Sequence, residues 1–216
     1  MQSSESPSRH SVTASERIGP YTLVRLERGS VDPGLPGQFF MLEAPGRILP
    51  RPFSLCLAPP GELAFLVDPI GPGTQALCEL RRGDEIGVLG PLGHGYRLDV
   101  ARPLLAGGGI GIAPLPYLAE QLGGSPPVVL GFRSAEHAEA AALLPGAEIV
   151  IDPVLVTELI ETGFDVMACG YGACYGCVVE IDGELKRLCL EGPVLDATRL
   201  NGRYQAPAVS ERAVSA

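Results

Sequence analysis

The chain has 216 residues, 46% of them hydrophobic and 19% charged, with a formal net charge of -9. This balance excludes a disordered chain and leaves room for one large domain or two modest ones, while the acidic surplus argues against nucleic acid as the main partner. No stretch reads as a membrane span: the most apolar region, Pro103 to Ala119, is interrupted by Gly107, Gly108, Gly109, Gly111, Pro114 and Pro116 and falls short of the ~20 apolar residues a bilayer demands.

In chain order, residues 1–17 are polar and Ser-rich, without the apolar core of a signal peptide, and are expected to form a disordered leader. With no export signal, the expected location is cytoplasmic, and in a reducing compartment cysteines are metal ligands or buried apolar groups more often than disulfides. Tyr21 to Glu27 alternates like a strand, and Pro33 to Gly37 is a turn-rich loop. Strand-like runs follow at Gln38–Glu43, Phe53–Leu57, Leu63–Val67 and Glu85–Leu89, with a short helix over Gln75–Leu80. Many short strands separated by Gly, Pro and Asp predict an antiparallel barrel over residues 18–100.

Near residue 100 the pattern changes. Strands at Pro103–Ala106, Val128–Phe132 and Glu148–Asp152 alternate with helices at Ala113–Leu122, Ala135–Leu144 and Val154–Glu161. That alternation predicts a short parallel α/β domain over residues 101–165. Residues 166–203 form a third region, with four of the six cysteines and little periodicity, and 204–216 a tail.

The four cysteines are spaced Cys169-x4-Cys174-x2-Cys177-x11-Cys189. A C-x4-C-x2-C run with a distant fourth cysteine is the plant-type arrangement for a [2Fe–2S] cluster. One loop must converge three thiolates on two irons, and glycines at 170, 172 and 176 free that loop to turn. Val178 to Leu188 reads as a hairpin turning at Asp182-Gly183, which returns Cys189 to the loop. A structural zinc site or disulfides are the alternatives, although zinc sites usually use two C-x2–4-C pairs. Cys56 and Cys78 read as small buried hydrophobes.

Three turns in the barrel half share a theme: Arg51-Pro52-Phe53-Ser54, Gly71-Pro72-Gly73-Thr74 and Gly90 to Gly95. Together they bring an arginine fork, a hydroxyl and free backbone N–H groups to one small domain, as a diphosphate requires. The Phe53 ring offers a face to an isoalloxazine or an adenine.

At these residues the chain resembles the ferredoxin–NADP reductase superfamily, and more narrowly the family of electron-transfer subunits of class 1B dihydroorotate dehydrogenases. The resemblance runs from about Tyr21 to Leu200 and is carried, in the family's order, by P-G-Q-F-F (36–40), R-P-F-S (51–54), G-x-G-T (71–74), G-P-L-G-x-G-Y (90–96), G-G-G-I-G-x-A-P-L (107–115), the cysteine loop and E-G-P-V (191–194). It implies an N-terminal FAD-binding barrel, a parallel nucleotide-binding unit and a C-terminal [2Fe–2S] loop. It implies FAD on Arg51, Pro52, Phe53, Ser54, Leu66, Val67, Asp68, Gly73 and Thr74, and a cluster on Cys169, Cys174, Cys177 and Cys189. It also implies NAD(H) as a diffusible substrate at Gly107, Gly108, Gly109 and Gly111. The expected partner is an FMN-containing catalytic subunit that oxidises dihydroorotate in pyrimidine biosynthesis, in a heterotetramer. One stretch departs from the family pattern. A C-G-P-x-P-M segment and a helix are expected before the cysteine loop, but Phe164-Asp-Val-Met-Ala runs straight into Cys169-Gly170.

His10, His94 and His137 have no spacing that suits a metal or a catalytic pair, and Glu136, Glu139 and Arg133 read as a solvated helix face. Two competing functions stay open at this stage. One is the electron-transfer subunit of another reductase, of sulfite reductase or hydrogenase type. The other is a non-catalytic, zinc-stabilised regulatory subunit.

Overall fold

The computed structural model describes residues 7–123, 125–151, 178–181, 184–192 and 194. The N-terminal half is a six-stranded sheet built from β1 (Ser8–Ile18), β2 (Tyr21–Glu27), β3 (Phe39–Leu42), β4 (Arg51–Ser54), β5 (Glu62–Val67) and β6 (Glu85–Leu92), in the order β4-β3-β6-β1-β2-β5. Every pairing is antiparallel. The sheet curls until its two ends meet: just beyond β4, Leu57 bridges to Ala64 of β5, with Ala64 N–H donating to Leu57 O at 2.9 Å. The helix α1 (Pro72–Cys78) follows β5.

The expected leader is corrected by β1, which begins at Ser8 and lies inside the sheet. Its first residues pair with β6, Ser8↔Val88 through Ser11↔Glu85, and its last with β2, ending at Ile18↔Tyr21. Its composition is polar because only His10 and Val12 are buried. His10 is satisfied there by the Glu27 carbonyl and the Ser8 hydroxyl, each at 2.7 Å. A strand bonded on both sides draws its stability from ladder hydrogen bonds, which hydrophobicity does not report.

The second half is a three-stranded parallel sheet, β7 (Leu105–Gly108), β8 (Val128–Phe132) and β9 (Glu148–Ile151), in sequence order. A 3-10 turn at Gly109–Ile112 and α2 (Leu115–Leu122) connect β7 to β8. The helix expected over Ala135–Leu144 is a short α3 (Ala135–Ala138) that tightens into a 3-10 turn, Glu139–Leu143. The helix expected at Val154–Glu161 lies outside the described residues. Farther on, β10 (Val178–Ile181) and β11 (Glu184–Arg187) pair as an antiparallel hairpin with Ile181 opposite Glu184, the pairing the sequence predicted. It leads into α4 (Leu188–Glu191), which carries Cys189.

Three apolar clusters hold these pieces together. Val24, Leu26, Phe40, Leu42, Phe65 and Val67 fill the barrel, with Phe40 and Phe65 edge to face at 5.6 Å. Buried side chains of this size contribute about 1.5–3 kcal/mol each. The opposite faces of β2 and β5, through Tyr21, Leu23, Ala64 and Leu66, join Ile112, Leu115, Leu118, Leu130 and Phe132 in a second cluster, so barrel and α/β unit share one core. The third joins Phe39, Met41 and Leu92 of the barrel to Cys189.

Candidate functional site

Arg51 opens β4, and its Nη1 donates to the Leu49 and Pro50 carbonyls at 2.9 and 3.3 Å. These two bonds turn the side chain over the first turn of α1. Gly73 makes the approach feasible, because a Cβ there would stand 3.2 Å from Arg51 Nε and 3.4 Å from Nη2. At the same turn, Gly71 N–H donates to Thr74 Oγ1 at 3.1 Å, and the Thr74 hydroxyl donates to Gly71 O at 3.0 Å. The result is a cradle of one guanidinium and one helix start, with the chemistry to hold a diphosphate. Arg51→Ala removes a charge-assisted and often bidentate contact worth roughly 1.5–3 kcal/mol. A flavin titration of the apoprotein is therefore expected to show FAD affinity reduced on the order of tenfold to a hundredfold.

Pro52, Phe53 and Ser54 continue β4, all half-buried. Phe53 packs on the barrel core, and Ser54 pairs with Phe39 of β3. Leu66 and Val67 are 1% and 0% exposed, their side chains committed to the two large cores, so what they offer a cofactor is backbone. Asp68, just past β5, acts on the Tyr21 phenol. Burial pushes that phenol above its ordinary pKa, Asp68 adds to the rise and Arg133 opposes it. Tyr21 is at the seam of the two domains, with its ring edge-on to His137 at 5.6 Å.

The glycine turn borders this seam. Gly107 and Gly108 end β7, Gly109 opens the 3-10 turn at φ +52°, and Gly111 follows within it. A Cβ on Gly109 would stand 3.8 Å from the Tyr21 hydroxyl. The turn thus lies beside Tyr21, the phenol on which Asp68 also acts.

Cys169, Cys174 and Cys177 lie outside the described residues. Cys189 is buried at 1% exposure, against the barrel and not in the α/β unit. The segment after it is docked as well: His94 N–H donates to Gly192 O at 2.5 Å. Gly37 has φ +91°, and a Cβ there would stand 2.6 Å from Val194 Cγ2 and 2.7 Å from the Tyr96 ring. Sequence reasoning missed this seat. The available signal was the run Phe39-Phe40-Met41-Leu42, apolar on both faces of a strand and therefore covered on both. Cys56 behaves as a buried hydrophobe, with burial pushing its thiol up to about 12; Cys78 is half-buried against the barrel core.

A family model for the iron–sulfur cluster binding domain of dihydroorotate dehydrogenase B matches residues 165–201. Over three-quarters of its length the chain is 34% identical to the dihydroorotate dehydrogenase B (NAD(+)) electron transfer subunit of Geobacillus thermodenitrificans, taking in 85% of that protein. This chain belongs to the dihydroorotate dehydrogenase B electron transfer subunit family. The counterpart in Clostridium perfringens is 30% identical, over 82% of this chain and 90% of that one.

The fold is similar to that of an NADH-dependent reduced ferredoxin–NADP oxidoreductase, with a TM-score of 0.71 and 22% identity over 89% of this chain and 88% of that one. The ferredoxin reductase in carbazole 1,9a-dioxygenase matches 68% of this chain and 50% of its own, with a TM-score of 0.57 and 25% identity. One difference within the family stands out. The Geobacillus alignment runs over 218 positions, yet three-quarters of this 216-residue chain is only about 162 residues, so more than 50 of those positions have no residue of this chain opposite them.

Proposed function

We propose that this chain is the flavin and iron–sulfur electron-transfer subunit of a class 1B dihydroorotate dehydrogenase, acting in the cytoplasm. It passes electrons among NAD(H), FAD, a [2Fe–2S] cluster and a separate FMN-containing catalytic subunit that oxidises dihydroorotate in pyrimidine biosynthesis, the two subunits assembling as a heterotetramer. The observation that carries the reading is the seat of Cys189: the fourth cysteine of a plant-type spacing is buried against β3, and β3 pairs with the β4 strand that carries Arg51 and Ser54.

In this reading Arg51 and the first turn of α1, with Gly73 and Thr74, hold the FAD diphosphate. Pro52, Phe53 and Ser54 lie along the flavin, and the backbone of Leu66 to Asp68 closes the far side. Gly107, Gly108, Gly109 and Gly111 form the turn that receives the nucleotide, and Cys169, Cys174, Cys177 and Cys189 hold the cluster. When bound, the flavin takes up an electron pair and the cluster relays electrons singly. The protein's part is to set the distance between them and to keep water out. Among the described residues no helix is long and apolar enough to cross a membrane.

The test is the purified full chain. A yellow-brown protein with flavin absorption, iron and acid-labile sulfide is the expected result. A colourless protein that carries zinc overturns the proposal and favours a structural metal site.

A further inference from the structure

The outer face of the barrel at β3 is dry. Phe40 and Leu42 turn into the barrel, while Phe39 and Met41, at 3% and 1% exposure, turn outward and would meet water but for what covers them. The cover is α4. Cys189, 1% exposed, joins Phe39, Met41 and Leu92 in one buried cluster, with Leu89 and Leu190 packed against it. The pairing of β3 with β6 fixes the geometry: Phe39 stands opposite Leu92 and Met41 opposite Leu89. On its other side Phe39 stands opposite Ser54, and paired residues of adjacent strands sit only about 4.5–5.5 Å apart. Two independent contacts hold the segment in place, the His94–Gly192 backbone hydrogen bond and Val194 in the notch above Gly37.

We infer that Phe39 and Met41, with Leu89 and Leu92, form an apolar seat that positions the Cys189 thiolate one strand away from Ser54 and holds the reduction potential of the cluster low. The inference rests on the proposed function, because it takes Cys189 as a cluster ligand. Its physical basis is charge. Reduction adds one electron to a centre ligated by anionic thiolates, and on this side the four apolar side chains offer the added charge no side-chain dipole. Polarity and hydrogen bonding next to the ligand sulfurs are what tune such potentials. Phe39 and Met41 act through Cys189 and are therefore positioning residues.

The test is a redox titration of the intact chain with FAD and cluster in place, following the electron paramagnetic resonance signal of the reduced cluster. Met41→Gln keeps the length of the side chain and puts an amide into the seat. It is expected to raise the ratio of reduced to oxidised cluster at a given ambient potential roughly tenfold, which for one electron is about 59 mV. Leu89→Gln, at the partly buried register partner, makes the same prediction with less disturbance of the core. Met41→Leu, apolar and of similar volume, is expected to leave the potential at the parent value. Parent-like potentials in both glutamine variants, with iron and FAD contents unchanged, overturn the inference. An equal shift in Met41→Leu also overturns it, since volume and not polarity would then be at work. A parent chain without iron overturns the proposed function together with this inference, so the two failures are distinct.

Discussion

Replacing Cys174 by Ser is expected to leave the chain without a cluster and with most of its FAD. A cluster held by four thiolates cannot exchange one for a serine hydroxyl without loss, because the hydroxyl is a harder and far less acidic ligand. Altering even the outer partners of a metal ligand typically costs about 10–100-fold in metal affinity, so losing a ligand outright costs more. FAD is expected to be spared because its proposed cradle is built elsewhere: Arg51, Gly73 and Thr74 belong to β4 and α1, which fold on the barrel core. Iron analysis and the resonance signal of the reduced protein read one half of this prediction, and flavin absorbance reads the other. Parent iron content in Cys174→Ser would exclude the residue as a ligand. Joint loss of iron and FAD would show that the cysteine loop also supports the FAD cradle.

Mixed with NADH in a stopped-flow instrument, the isolated chain is expected to reduce its own flavin slowly and to bind NADH weakly. Three observations lead to this. The chain runs from Phe164 directly into the cysteine loop. More than 50 positions of the Geobacillus relative have no counterpart in it. Among the described residues, β7 pairs with β8 alone. β7 also borders a groove of about 300 Å³ lined by Val100, Leu104, Leu115 and Leu118, where Leu104 is 65% exposed. Hydride transfer needs the donor carbon about 3–3.5 Å from the flavin in aligned geometry, and a misplacement of 1 Å costs on the order of a hundredfold. A turn that receives a phosphate without a complete wall beside the nicotinamide would not fix that alignment. Reduction about a hundredfold slower than in the Geobacillus relative, with normal reduction by dithionite, is the expected outcome. Fast, saturable reduction at micromolar NADH would show that the shortened unit builds a complete pocket.

The candidate site could be read from the sequence because its signals are local. Ligand spacing, the Asp182-Gly183 turn and the Arg51 to Ser54 run all act over a few residues, and their meaning survives without knowledge of the fold. The other strands of the barrel were legible for the same reason, except that β4 runs over Arg51–Ser54, two residues ahead of the expected start at Phe53; the first strand was missed. β1 was missed because Ser, Thr, Arg and Glu dominate it and its neighbours supply the hydrogen bonds. Patterns of hydrophobicity report burial, and β1 buries little beyond His10 and Val12.

Tertiary structure alone decided which surfaces meet. The apolar run Phe39 to Leu42 shows that both faces of β3 are covered, but not that the covering group is a helix from 150 residues later in the chain, bearing Cys189. The alternation in β2 and β5 likewise does not say that Tyr21, Leu23 and Leu66 pack against the α/β unit while Val24 and Phe65 fill the barrel. Hydrophobic burial is non-directional, so a sequence records how much apolar surface each strand must hide and leaves open what hides it. The partner is chosen by shape and by the chain ends that must close, as where Gly37 leaves room for Val194 and Gly73 for Arg51. That choice sets Cys189 one strand from Ser54, a proximity that no spacing of cysteines encodes.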